Sequence, residues 1–347
     1  MVTGSTRLSV VVVTHNCRGA VGRSLPALVE QLGDGDELIV VDNASVDGTP
    51  ALVRELAPDA TVVQPGRNLG FGGGCNSGAA RASGDLLLFL NPDAAPEPGF
   101  GEAIARPLAE GRGWAAWMGL VTAEGGRVVN TDGGVVHFTG IAWAGGAGRP
   151  LEGDGPGPRE VGFASGACLA VPRESWERAG GFPAEFFLYH EDVDLSLRLR
   201  LRGGEVGIEP GARVDHEYEF HKGAAKWRHL ERNRWATIVR TYPAPLLVLV
   251  APALLATELA LLAISLRGGW GRQKLLAWAD LARWLPRLRR ERAEIQARKA
   301  IGAGEFATSL TAELSSDYLG PLAGVVPLRW ALRAYWWVVR ALLRAAG

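Results

Sequence analysis

Cysteine is scarce in this chain: three in 347 residues (Cys17, Cys75, Cys168), far apart and without a Cys-x-x-Cys pair. That excludes a disulfide-stapled scaffold and a zinc ribbon, and fits a reducing compartment. Net charge is absent too, with 37 Lys and Arg against 37 Asp and Glu, which argues against a general nucleic-acid binder. Residues 1–9 hold one Arg and no long apolar stretch. The Val10-Val11-Val12-Val13 run after them is too short for a signal peptide and reads as a buried strand. No Gly-x-Gly-x-x-Gly follows that strand, where Thr14-His15-Asn16-Cys17-Arg18-Gly19 stands instead. A dinucleotide-dependent dehydrogenase is therefore disfavoured.

What is present fits a large globular chain, 47% apolar and 21% charged, with material for one large or two modest domains. Over the first hundred residues short apolar runs alternate with helical patterns. Strands are predicted at 8–14, 37–42, 61–64 and 85–90, with helices at 22–31, 49–56 and 76–82. Such alternation, with strands apolar throughout, predicts an α/β sandwich around a mostly parallel sheet. Ligands bind such sheets beyond the carboxyl ends of the strands, and here those ends read Thr14-His15-Asn16, Asp42-Asn43 and Asn91-Pro92-Asp93. Residues 111–160 are Gly-rich and read as irregular strands and loops, 163–171 as a strand, and 173–179 as a helix. In 191–202 Leu195, Leu197, Leu199 and Leu201 alternate as in a strand, yet the acids at its start and Gly203-Gly204 after it favour a helix.

Four motifs in order carry a resemblance. They are Val11-Val12-Val13-Thr14-His15-Asn16, then Val40-Val41-Asp42-Asn43-Ala44-Ser45-Val46-Asp47-Gly48-Thr49, then Asn68-Leu69-Gly70-Phe71 through Asn76 to Leu90-Asn91-Pro92-Asp93-Ala94, and Gly180-Gly181-Phe182 through Tyr189-His190-Glu191-Asp192-Val193-Asp194. Over roughly residues 7–242 the chain resembles the family 2 glycosyltransferases, most of all the non-processive rhamnosyl- and galactofuranosyl-transferase branch. The resemblance implies a GT-A-type three-layer α/β/α sandwich and a dTDP- or UDP-sugar donor.

It also implies roles for residues. Asp42 would meet the base or ribose, with Thr14 and Asn16 flanking the crevice. Asn68 and Asn76 would bond base or ribose edges, or serve only as turn and helix caps. Asn91 and Asp93 stand where the family has Asp-x-Asp, so Asp93 keeps the carboxylate that holds Mg²⁺ or Mn²⁺ against the departing diphosphate. His216, or its rival His221, would add a second metal ligand, unless its part is surface or packing. Asp192, paired with Glu191, would be the base that deprotonates the acceptor hydroxyl, its basicity raised by Glu191 and Asp194. The plainer alternative is that these acids only start a helix. A nucleotidyltransferase is a weaker alternative, since 15–22 lacks a basic Gly-rich phosphate loop. A non-catalytic, membrane-bound glycan-binding scaffold is the other.

The balance of charge is uneven along the chain. Residues 243–347 hold 14 basic and 7 acidic groups and six of the 12 Trp, so a boundary is expected at 242, before a basic helical module on an anionic membrane surface. Residues 246–266 are apolar apart from Thr257, Glu258 and Ser265 and long enough to cross a bilayer. Pro252 and basic flanks on both sides favour an in-plane or re-entrant segment instead. In 324–346, Arg329, Arg333, Arg340 and Arg344 share one face, with Trp330, Trp336 and Trp337 at its margins and aliphatics opposite. That pattern reads as an interfacial helix, or as one packed on the protein. Lys222, Lys226, Arg228, Arg232 and Arg234 before the module would close over the diphosphate, meet a lipid-linked or other glycan acceptor, or form a solvated helix face. The expected location is the cytoplasmic face of the cell membrane.

Overall fold

Helices lie on both faces of one strand, β1 (Leu8–Thr14), and the reason is its alternation. Val12 and Thr14 face α1 (Arg18–Val29), whose Val21 and Leu25 meet them together with Val40 of β2 (Glu37–Asp42) and Val53 of α2 (Thr49–Leu56). Val11 and Val13 face the other way, toward the helix that follows β3 (Thr61–Val63). That helix, α3 (Gly70–Ala79), begins in the glycine run and precedes β4 (Leu86–Leu90). The expected α/β/α layering is therefore present.

A computed structural model describes residues 6–153, 155–216, 223–314 and 325–345. After β4 come β5 (Ala94–Pro96), α4 (Phe100–Ala109), β6 (Trp114–Ala123), β7 (Val128–Thr131), β8 (Gly134–Val136), β9 (Ala142–Ala144), β10 (Arg159–Glu160) and β11 (Cys168–Pro172). Then follow α5 (Arg173–Ala179), α6 (Glu191–Leu201) and β12 (Glu205–His216). The main sheet runs β10-β12-β6-β11-β4-β1-β2-β3. Its β4-β1-β2-β3 half is wholly parallel, in the register Val12↔Val40 and Val12↔Leu90, so the ends of these strands open on one edge. β11 enters antiparallel between β4 and β6, and β5 pairs with the end of β12.

The sequence reading and the structure differ in places. The 163–171 strand narrows to β11, leaving 163–167 as loop beside the sheet edge. The Gly-rich 111–160 stretch contains a regular ten-residue strand, β6. Helix α6 is confirmed, and its misleading alternation has a cause: Leu195 and Leu197 are buried, but so are Asp194, Ser196 and Arg198 between them. A helix covered all round need show no amphipathic period.

The described residues divide into two compact units: the strands and helices just given except most of β8 and β9, through residue 216, and a helical unit holding Val135–Trp143, Arg200–Gly203 and the described chain from 223 on. The helical unit comprises α7 (Ala225–Thr241), α8 (Ala244–Arg267), α9 (Gly271–Ala297), α10 (Ala303–Phe306) and α11 (Val326–Ala345). By its contacts α7 belongs with these helices, whereas the sequence boundary was set at 242, after it. The basic residues of α7 are spent inside this unit. Arg228 holds Asp280 through two bonds of 2.7 and 2.8 Å, Arg232 stacks on Trp284, and Arg234 reaches Glu258 at 2.5 Å. Lys226 is buried, and Lys222 lies outside the described residues. These side chains thus support the bundle, which replaces both the diphosphate-closing and the solvated-face expectations.

Candidate active site

The first turn of the site is stitched from the ends of β1 and β2. Thr14 Oγ1 donates to Asp42 Oδ1 at 3.2 Å, and the other Asp42 oxygen accepts the Ser45 N–H. Asn16 and Ala44 both sit at positive φ, which directs the two strand ends toward each other. The Asn16 Oδ1 accepts the Val46 N–H at 2.8 Å, while its own N–H donates to Ser45. Asp42 is 1% exposed, so it stands at the floor of the crevice and Asn16 at its rim.

Two asparagines expected at the ligand turn out to hold backbone. Asn76 donates to the Phe182 carbonyl and accepts the Phe182 N–H, both at 2.9 Å, so its carboxamide clamps the Gly180-Gly181-Phe182 turn. Neither a base contact nor a helix cap describes it. Asn68 accepts the Gly70 N–H at 2.8 Å and opens α3, which is the turn role. Asn43, which sequence reasoning passed over, donates to the Gly70 carbonyl and ties β2 to the same place.

The second turn brings distant residues together. Ser24 of α1 donates to the Pro92 carbonyl at 2.6 Å, fixing the Asn91-Pro92-Asp93 turn from below. Antiparallel pairing of β5 with β12 sets His216 opposite Ala94, and its imidazole Nε2 lies 2.9 Å from Asp93 Oδ1. The Asn91 Nδ2 is 3.3 Å from the same nitrogen. Nε2 cannot donate to Asp93 and accept from Asn91 at once. As an N–H it donates to Asp93; as a bare nitrogen it turns one lone pair either to Asn91 or to a cation shared with the Asp93 carboxylate. The donor pair fits a divalent ion that takes nitrogen and oxygen ligands. Among the described residues no cluster of three His, Cys, Asp or Glu side chains forms, so other ligands would have to complete such a site. The rival His221 lies outside the described residues.

The acid pair joins this turn through the 163–167 loop. The Gly166 N–H donates to Asp192 Oδ2 at 3.0 Å, and the carbonyl of the next residue, Ala167, accepts the Asn91 N–H at 3.1 Å. Consecutive Cα atoms are about 3.8 Å apart, so two adjacent residues tie the two groups. Gly166 is the residue sequence reasoning missed, and nothing in a Ser-Gly-Ala run announces it. Phe187, Tyr189 and His190, which lead into α6, all sit at positive φ, and the Phe187 carbonyl accepts the Phe71 N–H at 2.7 Å.

Electrostatics separate the two acids. Burial raises the Glu191 carboxyl, with the charge of Asp192 adding to it, up to about 8. Its Oε2 is buried without a hydrogen bond among the described residues, as suits a neutral acid. Burial also raises Asp192, but hydrogen bonds from Gly166 and Val193 oppose the rise. Burial thus drives both carboxyls upward, and Asp192 is the one that the Gly166 N–H holds. Asp194 plays another part than expected: buried, it pairs with Arg198 at 2.6 Å, and Arg198 in turn donates to the carbonyls of Ala179 and Gly181. Its charge is answered, and the like-charge effect expected on Asp192 falls chiefly on Glu191.

Comparison with known proteins bears on the family and the fold. The family model for glycosyl transferase family 2 matches residues 9–176. An N-acetylglucosaminyl-diphospho-decaprenol L-rhamnosyltransferase of Mycobacterium tuberculosis is 28% identical over 254 residues, 67% of this chain and 83% of its own length. Among solved structures, GalNAc-T7 with UDP, GalNAc and Mn²⁺ aligns with a TM-score of 0.56 at 16% identity, over 69% of this chain and 48% of that one. The chain thus spans about half the length of that protein. A mannosyltransferase from Pyrobaculum calidifontis, in complex with GDP-Man and Mn²⁺, aligns with a TM-score of 0.51 at 19% identity, over 98% of this chain and 87% of its own. At such identities the structural likeness concerns the fold. Together with the domain match, it makes the chain a glycosyltransferase of GT-A fold whose residues 9–176 form a family 2 domain.

Proposed function

We propose that this glycosyltransferase is inverting and divalent-metal-dependent, moving a sugar such as rhamnose from a dTDP- or UDP-sugar to a lipid-linked or cell-envelope glycan at the cytoplasmic face of the membrane. The observation that carries the proposal is the pair of adjacent residues Gly166 and Ala167, the first donating its N–H to Asp192 and the second accepting the Asn91 N–H of the Asn91-Pro92-Asp93 turn. A proton acceptor and an anchor for the leaving group are thereby fixed in one site. The acceptor class is supported by the Mycobacterium tuberculosis relative, whose name states a decaprenol-diphosphate acceptor and a rhamnosyl donor group.

In the proposed reaction the Asp192 carboxylate takes the acceptor hydroxyl proton as that oxygen attacks the anomeric carbon. The bond from that carbon to the diphosphate oxygen breaks on the opposite face, and the diphosphate leaves with the electron pair. Glu191, its carboxyl raised by burial and by the charge of Asp192, stands beside this base. Asp42, with Thr14 and Asn16, receives the nucleoside end. Asp93 and His216 are the residues that would hold Mg²⁺ or Mn²⁺, which when bound supplies Lewis-acid neutralisation of the diphosphate.

Thermal-shift titration with UDP and dTDP, each with and without Mn²⁺, tests the metal reading. Ligand at a hundred times its Kd stabilises by about 2.7 kcal/mol, so a nucleotide response that needs Mn²⁺ is readily seen. Asp93→Ala should abolish the Mn²⁺-dependent part and Asn91→Ala only weaken it. Undiminished sugar transfer in excess chelator would overturn the metal dependence.

A further inference from the structure

Two helices of the C-terminal unit expose apolar faces that the transfer reaction does not use. On α8, Val248, Leu255, Leu259 and Leu266 are 61–72% exposed. At about 100° per residue they fall within about 40° of one another, a narrow stripe along the helix. The opposite side is fixed in the unit: Leu246, Val250 and Leu254 are buried there. On α11, Trp336, Val339 and Leu343 turn inward, with Trp336 stacked on Phe138 at 4.8 Å, so part of the aliphatic face expected at a membrane is packed instead. The next sector carries Arg329 and Arg333, which pair with Glu313, and Arg340 and Arg344. Beyond it Trp330, Trp337, Val338 and Leu342 are 46–72% exposed. Tyr335, at the edge next to Leu342, donates its hydroxyl to the Leu249 carbonyl, which joins the two helices where their exposed faces begin.

Length and mean hydropathy would let α8 cross a bilayer, with 24 residues and a value of 2.4. One side chain opposes crossing. Glu258 receives bonds from Arg234, Lys274 and the indole nitrogens of Trp235 and Trp278, all from α7 and α9. Burial would raise its carboxyl, but Arg234 and Lys274 hold it down to about 2, so it stays ionised. A spanning α8 would have to take an ion cluster into hydrocarbon or abandon it.

We propose that the exposed faces of α8 and α11 form one monotopic docking surface for an anionic lipid leaflet, with both helices lying in the interface and neither crossing it. Charge selects this occupant. The arginine row borders the apolar sector of α11, Arg267 closes α8, and Trp330 and Trp337 have the rings that settle at headgroup level. A second copy of the chain, placed face to face, would set arginine row against arginine row. The inference stands apart from the identity of the sugar transferred.

The test uses the full chain and flotation with vesicles of phosphatidylcholine alone or mixed equally with phosphatidylglycerol. The wild type should float with the mixed vesicles, less at high salt, and should be released by alkaline carbonate. Arg340→Gln with Arg344→Gln should lower the partition coefficient about thirtyfold. Leu255→Gln with Leu259→Gln, and Trp337→Gln with Leu342→Gln, should each lower it at least tenfold. All six positions lie on the surface of their helices, and near-ultraviolet circular dichroism should remain that of the wild type. Flotation of every variant like the wild type, absence of wild-type flotation, or retention after carbonate would overturn the proposal. So would a dimer, seen by light scattering, that the same variants dissociate.

Discussion

Asn76 shows how a side chain is misread when its partner is far away in sequence. It lies in a motif that suggests ligand contact, yet it bonds the main chain of Phe182, 106 residues on. Asn76→Ala leaves a buried N–H and carbonyl without their partner and should cost about 1–3 kcal/mol in urea unfolding. A change below a few tenths would mean the clamp is not formed. His216 drew notice because a second metal ligand was sought after the acid pair; its place beside Asp93 depends on the β5–β12 register, which no local pattern encodes. Glu191 has a consequence for stability. Its carboxyl rises from the ordinary 4.5 to about 8 on folding, so the folded state binds more protons between those values. Stability should therefore be full below about pH 4.5 in this respect and fall as pH rises toward 8. Glu191→Gln removes the titration, and a melting temperature measured from pH 5 to 8 should then decline less than in the wild type. An equal decline would place the proton elsewhere.

The glycine run of α3 inverts a propensity argument. Gly70, Gly72, Gly73 and Gly74 read as loop, so the helix was expected only from residue 76, yet it starts at Gly70. Propensity lost to packing: a Cβ on Gly78 would lie 2.4 Å from Val11, and one on Gly74 2.6 Å from Val13. The helix needs glycine to lie this close to β1. Gly78→Ala should therefore destabilise, because overpacking at about 1–3 kcal/mol outweighs the roughly 1 kcal/mol gained in helix propensity. Denaturant midpoints decide it, and a stabilised variant would refute the close approach. The parallel strands were legible because burial on both faces makes them apolar throughout. β6 was not, since its ten residues begin Trp-Ala-Ala-Trp in a glycine-rich neighbourhood, and its identity as a strand comes from pairing with β11 and β12.

At the scale of the whole molecule, the described residues form an α/β unit of GT-A type and a helical unit that holds α7 to α11. The zero net charge hides an uneven distribution that the counts on either side of residue 242 expose, but the compact helical unit also takes in α7, which precedes that boundary. The family resemblance, read over residues 7–242, puts α7 on the catalytic side; the carboxylate partners of its arginines, Asp280 and Glu258, belong to α9 and α8. The central claim, that Asp192 is the base of a sugar transfer whose leaving group is held elsewhere, has one direct measurement. Donor affinity and transfer rate to a prenyl-diphosphate-linked acceptor are determined together for the wild type and Asp192→Asn. General-base catalysis contributes about 10²–10⁴-fold, so transfer should fall by that factor while donor affinity stays within about twofold. Loss of donor binding along with transfer, or unchanged transfer, would contradict the account.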